Sequence, residues 1–208
     1  MHDPAELIEK GLTALLELAE EHPYENLTLA DIAEQSGVAL SDFHGVATKQ
    51  ALLDAMEPHF DKAMSSEGID RTETPRERLF DVIMLRFEAM EPHRDGLLSI
   101  MSWRDRQALQ LAKLVAARKA SADWALIAAG LDGEESVPTD VRAIGLAWVI
   151  GKTERAWRKE TDPGFARTMA ALDGELRKME ERAGWLNRFT SSRRDEPSSS
   201  DKVYEPFQ

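Results

Sequence analysis

Apolar residues recur at three- and four-residue intervals along almost the whole chain, and no segment alternates apolar and polar residues over the length of a strand. This regularity confines the fold to packed helices. Leu7, Ile8, Leu12, Leu15, Leu16 and Leu18 set a first helix over about residues 4–22. Asp3-Pro4 suits its first turn and His22-Pro23 its end. Thr28 is placed to cap a short helix from Leu29 to about Gln35, with Asp31 three residues on to complete a capping box. Ser36-Gly37 makes a turn, Ala39 to about His44 forms a second short helix, and Gly45 stops it. A longer helix begins at Thr48, and the turn-rich residues 65–75 follow it.

Beyond that segment the helical faces lengthen. Leu79, Phe80, Ile83, Met84, Phe87 and Met90 share one face. Further helical patterns cover about residues 104–130, 140–159 and 164–182, the last started by Thr161-Asp162-Pro163. The expected fold class is all-α.

Of the 208 residues, 42% are hydrophobic and 31% charged, the balance of a soluble globular chain. There is no cysteine, which removes disulfides, thiolate metal sites and cysteine nucleophiles. No apolar run approaches the roughly 20 residues that a membrane span needs. The start, MHDPAELIEKG, lacks the basic and apolar regions of a signal peptide. The expected location is the cytoplasm. His2, His22, His44, His59 and His93 show no metal-ligand spacing. No serine stands in a nucleophile elbow, and no glycine loop suits a phosphate. The expectation is a non-enzyme with no cofactor and no metal.

Charge is unevenly spread. The chain carries −12 overall, and residues 1–60 alone carry −10: Lys10 and Lys49 stand against twelve acids. DNA binding needs the opposite sign, because phosphate neutralisation supplies most of the affinity.

The segment LTLADIAEQSGVALSDFHGVATKQALLDAM resembles the TetR-family DNA-binding unit. The matching parts are Thr28, Ile32-Ala33, Gly37-Val38, Phe43, Lys49 and Ala51-Leu52-Leu53. The resemblance implies a three-helix helix-turn-helix unit over residues 1–47 whose short helix enters the major groove. Its implied DNA contacts are Thr28, Ala39, Leu40, Ser41, Phe43, His44 and Lys49. The pattern departs from the family in three ways. The stretch from Gly37 to Lys49 is one residue short, Gly45-Val46-Ala47 replaces the aromatic end of the recognition helix, and that helix offers no Arg, Lys, Asn or Gln for base edges. The resemblance implies DNA as a partner, while the charge disfavours it.

Residues 48–189 form the expected ligand-binding and dimerisation domain, with a disordered tail over 190–208. Within it, Pro92-His93-Arg94, Asp123-Trp124, Arg142-Ala143, Trp157, Asp162 and Thr168…Leu172-Asp173 resemble the Coq-type ubiquinone-biosynthesis accessory family. That resemblance implies a lipid-binding TetR-like fold acting with a partner protein. Met84, Phe87, Met101, Trp103, Trp124, Ile127, Trp148 and Trp157 are large apolar residues interleaved with small ones. They suit a pocket for a hydrophobic small molecule or lipid, or an ordinary helical core. The architecture implies a homodimer through the last two long helices, where Gly145, Ala147 and Gly151 would allow close approach. Trp185, Leu186 and Phe189, beside Arg182, Arg188, Arg193 and Arg194, suit either helix-end packing or peripheral membrane contact.

Overall fold

A computed structural model describes residues 3–133 and 138–194, with side chains described as far as residue 182. Among these residues all regular structure is helical, as the spacing requires. The helices are α1 (Pro4–Glu21), α2 (Leu29–Ser36), α3 (Leu40–Phe43), α4 (Lys49–Asp61), α5 (Pro75–Met90), α6 (Arg94–Arg104), α7 (Ala108–Ala128), α8 (Thr139–Trp157) and α9 (Ala166–Arg194). Single 3-10 turns occupy Tyr24–Asn26, Lys62–Ser65 and Glu91–His93.

The helix starts are set by local hydrogen bonding. Asp3 accepts from the Ala5 N–H at 3.3 Å, ahead of Pro4, which has no N–H to satisfy. Thr28 and Asp31 form the expected capping box, with Asp31 accepting from the Thr28 N–H at 2.7 Å. A second box, Thr74 with Glu77, opens α5 in front of Pro75. Thr48 caps α4 by accepting from the Ala51 N–H. Gly37 closes α2 in the left-handed region at φ 64°, which a side chain would resist.

The last helix begins later and ends later than the sequence pattern predicts. Thr161-Asp162-Pro163 lies in a turn, not a helical start. Asp162 accepts from the Gly164 N–H at 2.7 Å, and Phe165 adopts φ 58° before α9 begins at Ala166. The helix continues to Arg194, past the Arg182 that the apolar pattern reaches. It covers the first residues of the expected 190–208 tail; residues 195–208 lie outside the described residues. The side chains of Trp185, Leu186, Arg188, Phe189, Arg193 and Arg194 also lie outside them.

Packing places α1 centrally, against α2, α4 and α6. Gly96 stands where α6 crosses α1: a Cβ there would collide with the carbonyl oxygen of Leu16. Helices α7, α8 and α9 pack in sequence, and α5 lies against α4, α7 and α9. The expected boundary at residues 47/48 falls at the cap of α4. One buried apolar cluster crosses it, from Leu15, Ile32, Phe43 and Leu52 through Leu97 to Ile83, Leu146 and Trp157. Burial at this scale, roughly 25 cal/mol per Å² of apolar surface, is what holds these short helices in place. No helix among the described residues is long and apolar enough to cross a membrane.

Candidate functional site

The helix-turn-helix face is small and poor in positive charge. Helix α3 has four residues, with Ala39 and His44 flanking it and Gly45 following at φ 77°. Thr28, Ala39, Leu40, Ser41 and His44 are exposed, Leu40 by 50%. Phe43 is buried in the core and is not on the face at all. Lys49 is engaged elsewhere. Its Nζ donates to the carbonyls of Tyr24 and Leu27, each at 2.6 Å, and lies 4.0 Å from the centre of the Tyr24 ring. Half-burial pulls its pKa below the ordinary lysine value. The residue resembling a phosphate contact therefore fastens α4 to the loop between α1 and α2.

The eight apolar residues singled out for a pocket separate into two sets. Met84, Phe87, Met101 and Trp157 are buried, and Trp103 is half-buried with its ring 4.5 Å from that of Tyr24. Phe87 and Trp157 meet, their ring centres 6.3 Å apart. Trp124, Ile127 and Trp148 are exposed on the outer faces of α7 and α8, Trp148 by 56%. None of the eight lines the cleft between α4 and α7, the one at the α1–α2 corner or the one around Met64 and Ile69. The reason is helical phase: spacing shows that a residue is apolar on a helix, not which side the neighbouring helices cover.

Trp157 serves a clamp. Its Nε1 donates to Glu91 at 2.8 Å, and the Arg94 guanidinium lies 4.6 Å over its ring. Arg94 also donates to the carbonyls of Trp157 and Glu160. Burial pushes the Glu160 carboxyl up, but the N–H groups of Thr168, Asp162 and Thr161 outweigh it and hold the pKa at about 2. Arg94, Trp157, Asp162 and Thr168, four of the residues carrying the second resemblance, are thus one device joining α6 to the α8–α9 corner.

A buried charge cluster fills the space between α4, α5, α6 and α7. Glu57, 4% exposed, accepts from Arg86 and, at 2.8 Å, from Arg104. Arg86 Nε lies 3.2 Å from Asp61, which accepts from the Ser121 hydroxyl at 2.6 Å. Burial pushes the Glu57 carboxyl up, and the two guanidinium charges override it, leaving a pKa of about 2. Burial raises Asp61 above the ordinary aspartate value, against the opposing pull of Arg86. Beside this cluster, Glu154 joins Arg118 and Arg158, and Arg158 reaches Asp105. The cluster opens on a cleft of about 290 Å³ lined by Leu53, Asp54, Glu57, Arg104, Lys113 and Leu114, among others.

Sequence reasoning missed this cluster, although a signal was present. Glu57 sits beside Met56 on the stripe Leu53, Met56, Phe60, and Arg86 sits beside Phe87 on the stripe Ile83, Phe87, Met90. A charge at a core register is buried and paired, or it is a mistake. The glycines of α8 also have partners within the chain. Gly145 faces Met179 of α9, and Gly151 faces Arg118 of α7. Among the described residues, no group of three His, Cys, Asp or Glu is placed to hold a metal ion.

No family model matches the chain, and no curated protein matches it. Solved structures do. A TetR transcriptional regulator from Nitrosomonas europaea ATCC 19718 superposes with a TM-score of 0.67 at 19% identity, over 83% of this chain and 96% of that one. A TetR transcriptional regulator from Rhodococcus sp. RHA1 gives 0.55 at 17% identity, over 80% and 93%. A further TetR-family structure from Rhodococcus sp. gives 0.56 at 18% identity, over 82% and 99%. The chain therefore has the TetR-like fold: N-terminal helices followed by a C-terminal helical bundle. None of these three is described as a lipid-binding or ubiquinone-biosynthesis protein.

Proposed function

We propose that the protein is a homodimeric, ligand-responsive transcriptional regulator of the TetR type, acting in the cytoplasm by binding and not by catalysis. The observation that carries this reading is the double role of α4. Its Leu53, Asp54 and Glu57 line the cleft, and its Lys49 holds the loop that enters the helix-turn-helix unit. A ligand that moves α4 changes the placement of that unit. The two sites are then coupled through one rigid element, which is what allosteric control of DNA binding needs.

The homodimer is supported by an apolar stripe that nothing covers among the described residues. Val141, Ile144 and Trp148, exposed by 50%, 62% and 56%, recur at helical spacing on α8. Trp124 and Ile127 are likewise exposed on the neighbouring helix α7. Contiguous exposed apolar surface of this kind marks an association site.

Retention of the gene's own upstream DNA, measured at two salt concentrations, tests the reading. Binding that weakens steeply as salt rises supports it. No binding even at low salt rejects it. A second reading then takes its place: a TetR-fold accessory protein that carries a lipid or isoprenoid to a partner. The engagement of Lys49 and the surface of Leu40, Ser41 and His44, which carries no Lys or Arg, favour that alternative. Native mass spectrometry showing a co-purified lipid supports it, and a ligand-free protein counts against it.

A further inference from the structure

We infer that the cleft between α4, the end of α6 and α7 takes small molecules bearing a carboxylate on an apolar body, with Arg104 receiving the charge. This rests on the ligand-site reading above and adds the chemical class of the ligand.

Arg104 is the last residue of α6 and lines the cleft, yet it is only 4% exposed. Its Nη1 donates to Glu57, while its Nε and Nη2 are buried and meet no acceptor among the described residues. Those two N–H groups share one edge of the planar guanidinium and point the same way. That edge matches the two oxygens of a carboxylate. Buried donors without an acceptor are costly, so a ligand that supplies both oxygens gains more than an ordinary hydrogen bond.

The neighbouring acids are committed. Glu57 is bonded by Arg86 as well as Arg104, and Asp61 by Ser121, with Arg86 beside it. At the mouth, exposed Asp54 pairs with Lys113 at 3.1 Å, and Gln50 and Gln110 bond each other. The remaining wall, Leu53, Leu114, Ala116 and Ala117, is apolar. A cationic head would meet Arg104 and Lys113, and a neutral one would leave half of the unpaired edge unanswered. The volume of about 290 Å³ suits a compact ligand, at the small end of binding sites. A carboxylate on the Nε–Nη2 edge shares the guanidinium charge with Glu57 on Nη1, and this weakens the tie between α6 and α4.

The test titrates octanoate and benzoate into the full-length protein by calorimetry, with octan-1-ol, benzyl alcohol and octylamine as neutral and cationic counterparts. The carboxylates are expected to saturate at one per protomer and to bind about tenfold tighter, or more, than the alcohols. Ala116→Trp, an exposed position on the cleft wall, should abolish binding by filling the space. Arg104→Gln should remove the preference for carboxylate. If that variant does not fold, the ligand series on the natural chain and Ala116→Trp decide the matter. Equal binding of alcohols and carboxylates overturns the inference while leaving a ligand site in place. Carboxylate binding that survives Ala116→Trp overturns it by placing the site elsewhere. No saturable binding of any of the five overturns it outright, and the DNA-retention assay then judges the regulator reading separately.

Discussion

Glu57→Gln removes the negative centre of the buried cluster and keeps the side-chain shape. Its cost follows from the structure by two routes. The carboxyl ionises at about 2 in the folded protein against an ordinary 4.5. The difference corresponds to about 3 kcal/mol of stability at neutral pH. Breaking a buried ion pair by removing one partner costs roughly 3–5 kcal/mol, because the other charge stays behind. Here Arg86 and Arg104, 2% and 4% exposed, both stay behind. The sign is fixed by the direction of the shift. A lowered folded pKa gives stability that is complete above 4.5 and is lost as pH falls from there through about 2. Urea unfolding of the natural chain and the variant, at equal protomer concentration, should therefore differ by about 3 kcal/mol at pH 7. For a chain of this length that is a fall in melting temperature of roughly 6–12 °C. By about pH 3 the difference should shrink to about half or less. A loss below about 1 kcal/mol at pH 7, or a difference that holds constant on acidification, would refute the account of Glu57 as an ionised, buried partner of two arginines.

Three further outcomes follow from single contacts. Gly96→Ala drives a methyl group into the Leu16 carbonyl and should cost about 1–3 kcal/mol in denaturant unfolding, since backbone on both helices must shift. Trp148→Glu combined with Ile144→Glu should shift the protein from dimer to monomer in light scattering; an unchanged mass would remove the α8 stripe from the interface. Lys49→Met forfeits two charge-assisted bonds to carbonyls and should cost about 2 kcal/mol. The same variant should leave the salt slope of DNA retention unchanged, whereas a phosphate-contacting lysine would lower that slope by about 1.

What could be read in the sequence was local. Helix starts at Thr28 and Thr48 and the turn at Gly37 depend on residues within three or four positions, so the pattern places them within a residue or so. The end of α9 was misread because Arg182 followed by Gly184 resembles a helix stop, yet the apolar spacing goes on through Ala183 and Leu186 and the helix continues to Arg194. The start of α9 was misplaced for a physical reason. Pro163 suits a first helical turn in isolation, but Glu160 draws in the N–H groups of Thr161, Asp162 and Thr168 and winds the chain into a corner. The site was the least legible part. Trp124 and Trp157 look alike as large aromatics on helices, yet one is 39% exposed and the other fully buried. Which helix covers which face is a tertiary fact. Only charges out of place on apolar stripes, Glu57 and Arg86, pointed to the cluster in advance.

The cluster raises the question of why charge is kept there at all. An apolar set of similar volume would fill the space between α4, α5, α6 and α7 at no loss of stability, and often with a gain. Stability alone therefore does not account for Glu57, Asp61, Arg86 and Arg104. Their arrangement has a property that an apolar core lacks. One guanidinium can exchange one carboxylate partner for another. Glu57 stands on α4 eight positions beyond Lys49, just over two helical turns, so the exchange partner and the anchor of the helix-turn-helix unit share one short rod. On the proposed reading, a change in who holds Arg104 reaches Tyr24 and Leu27 through this rod. The same logic applies whether the unit at the far end meets DNA or a protein. On the proposed reading, the acidic N-terminal sixty residues bear on what that unit binds and leave the coupling through α4 unchanged.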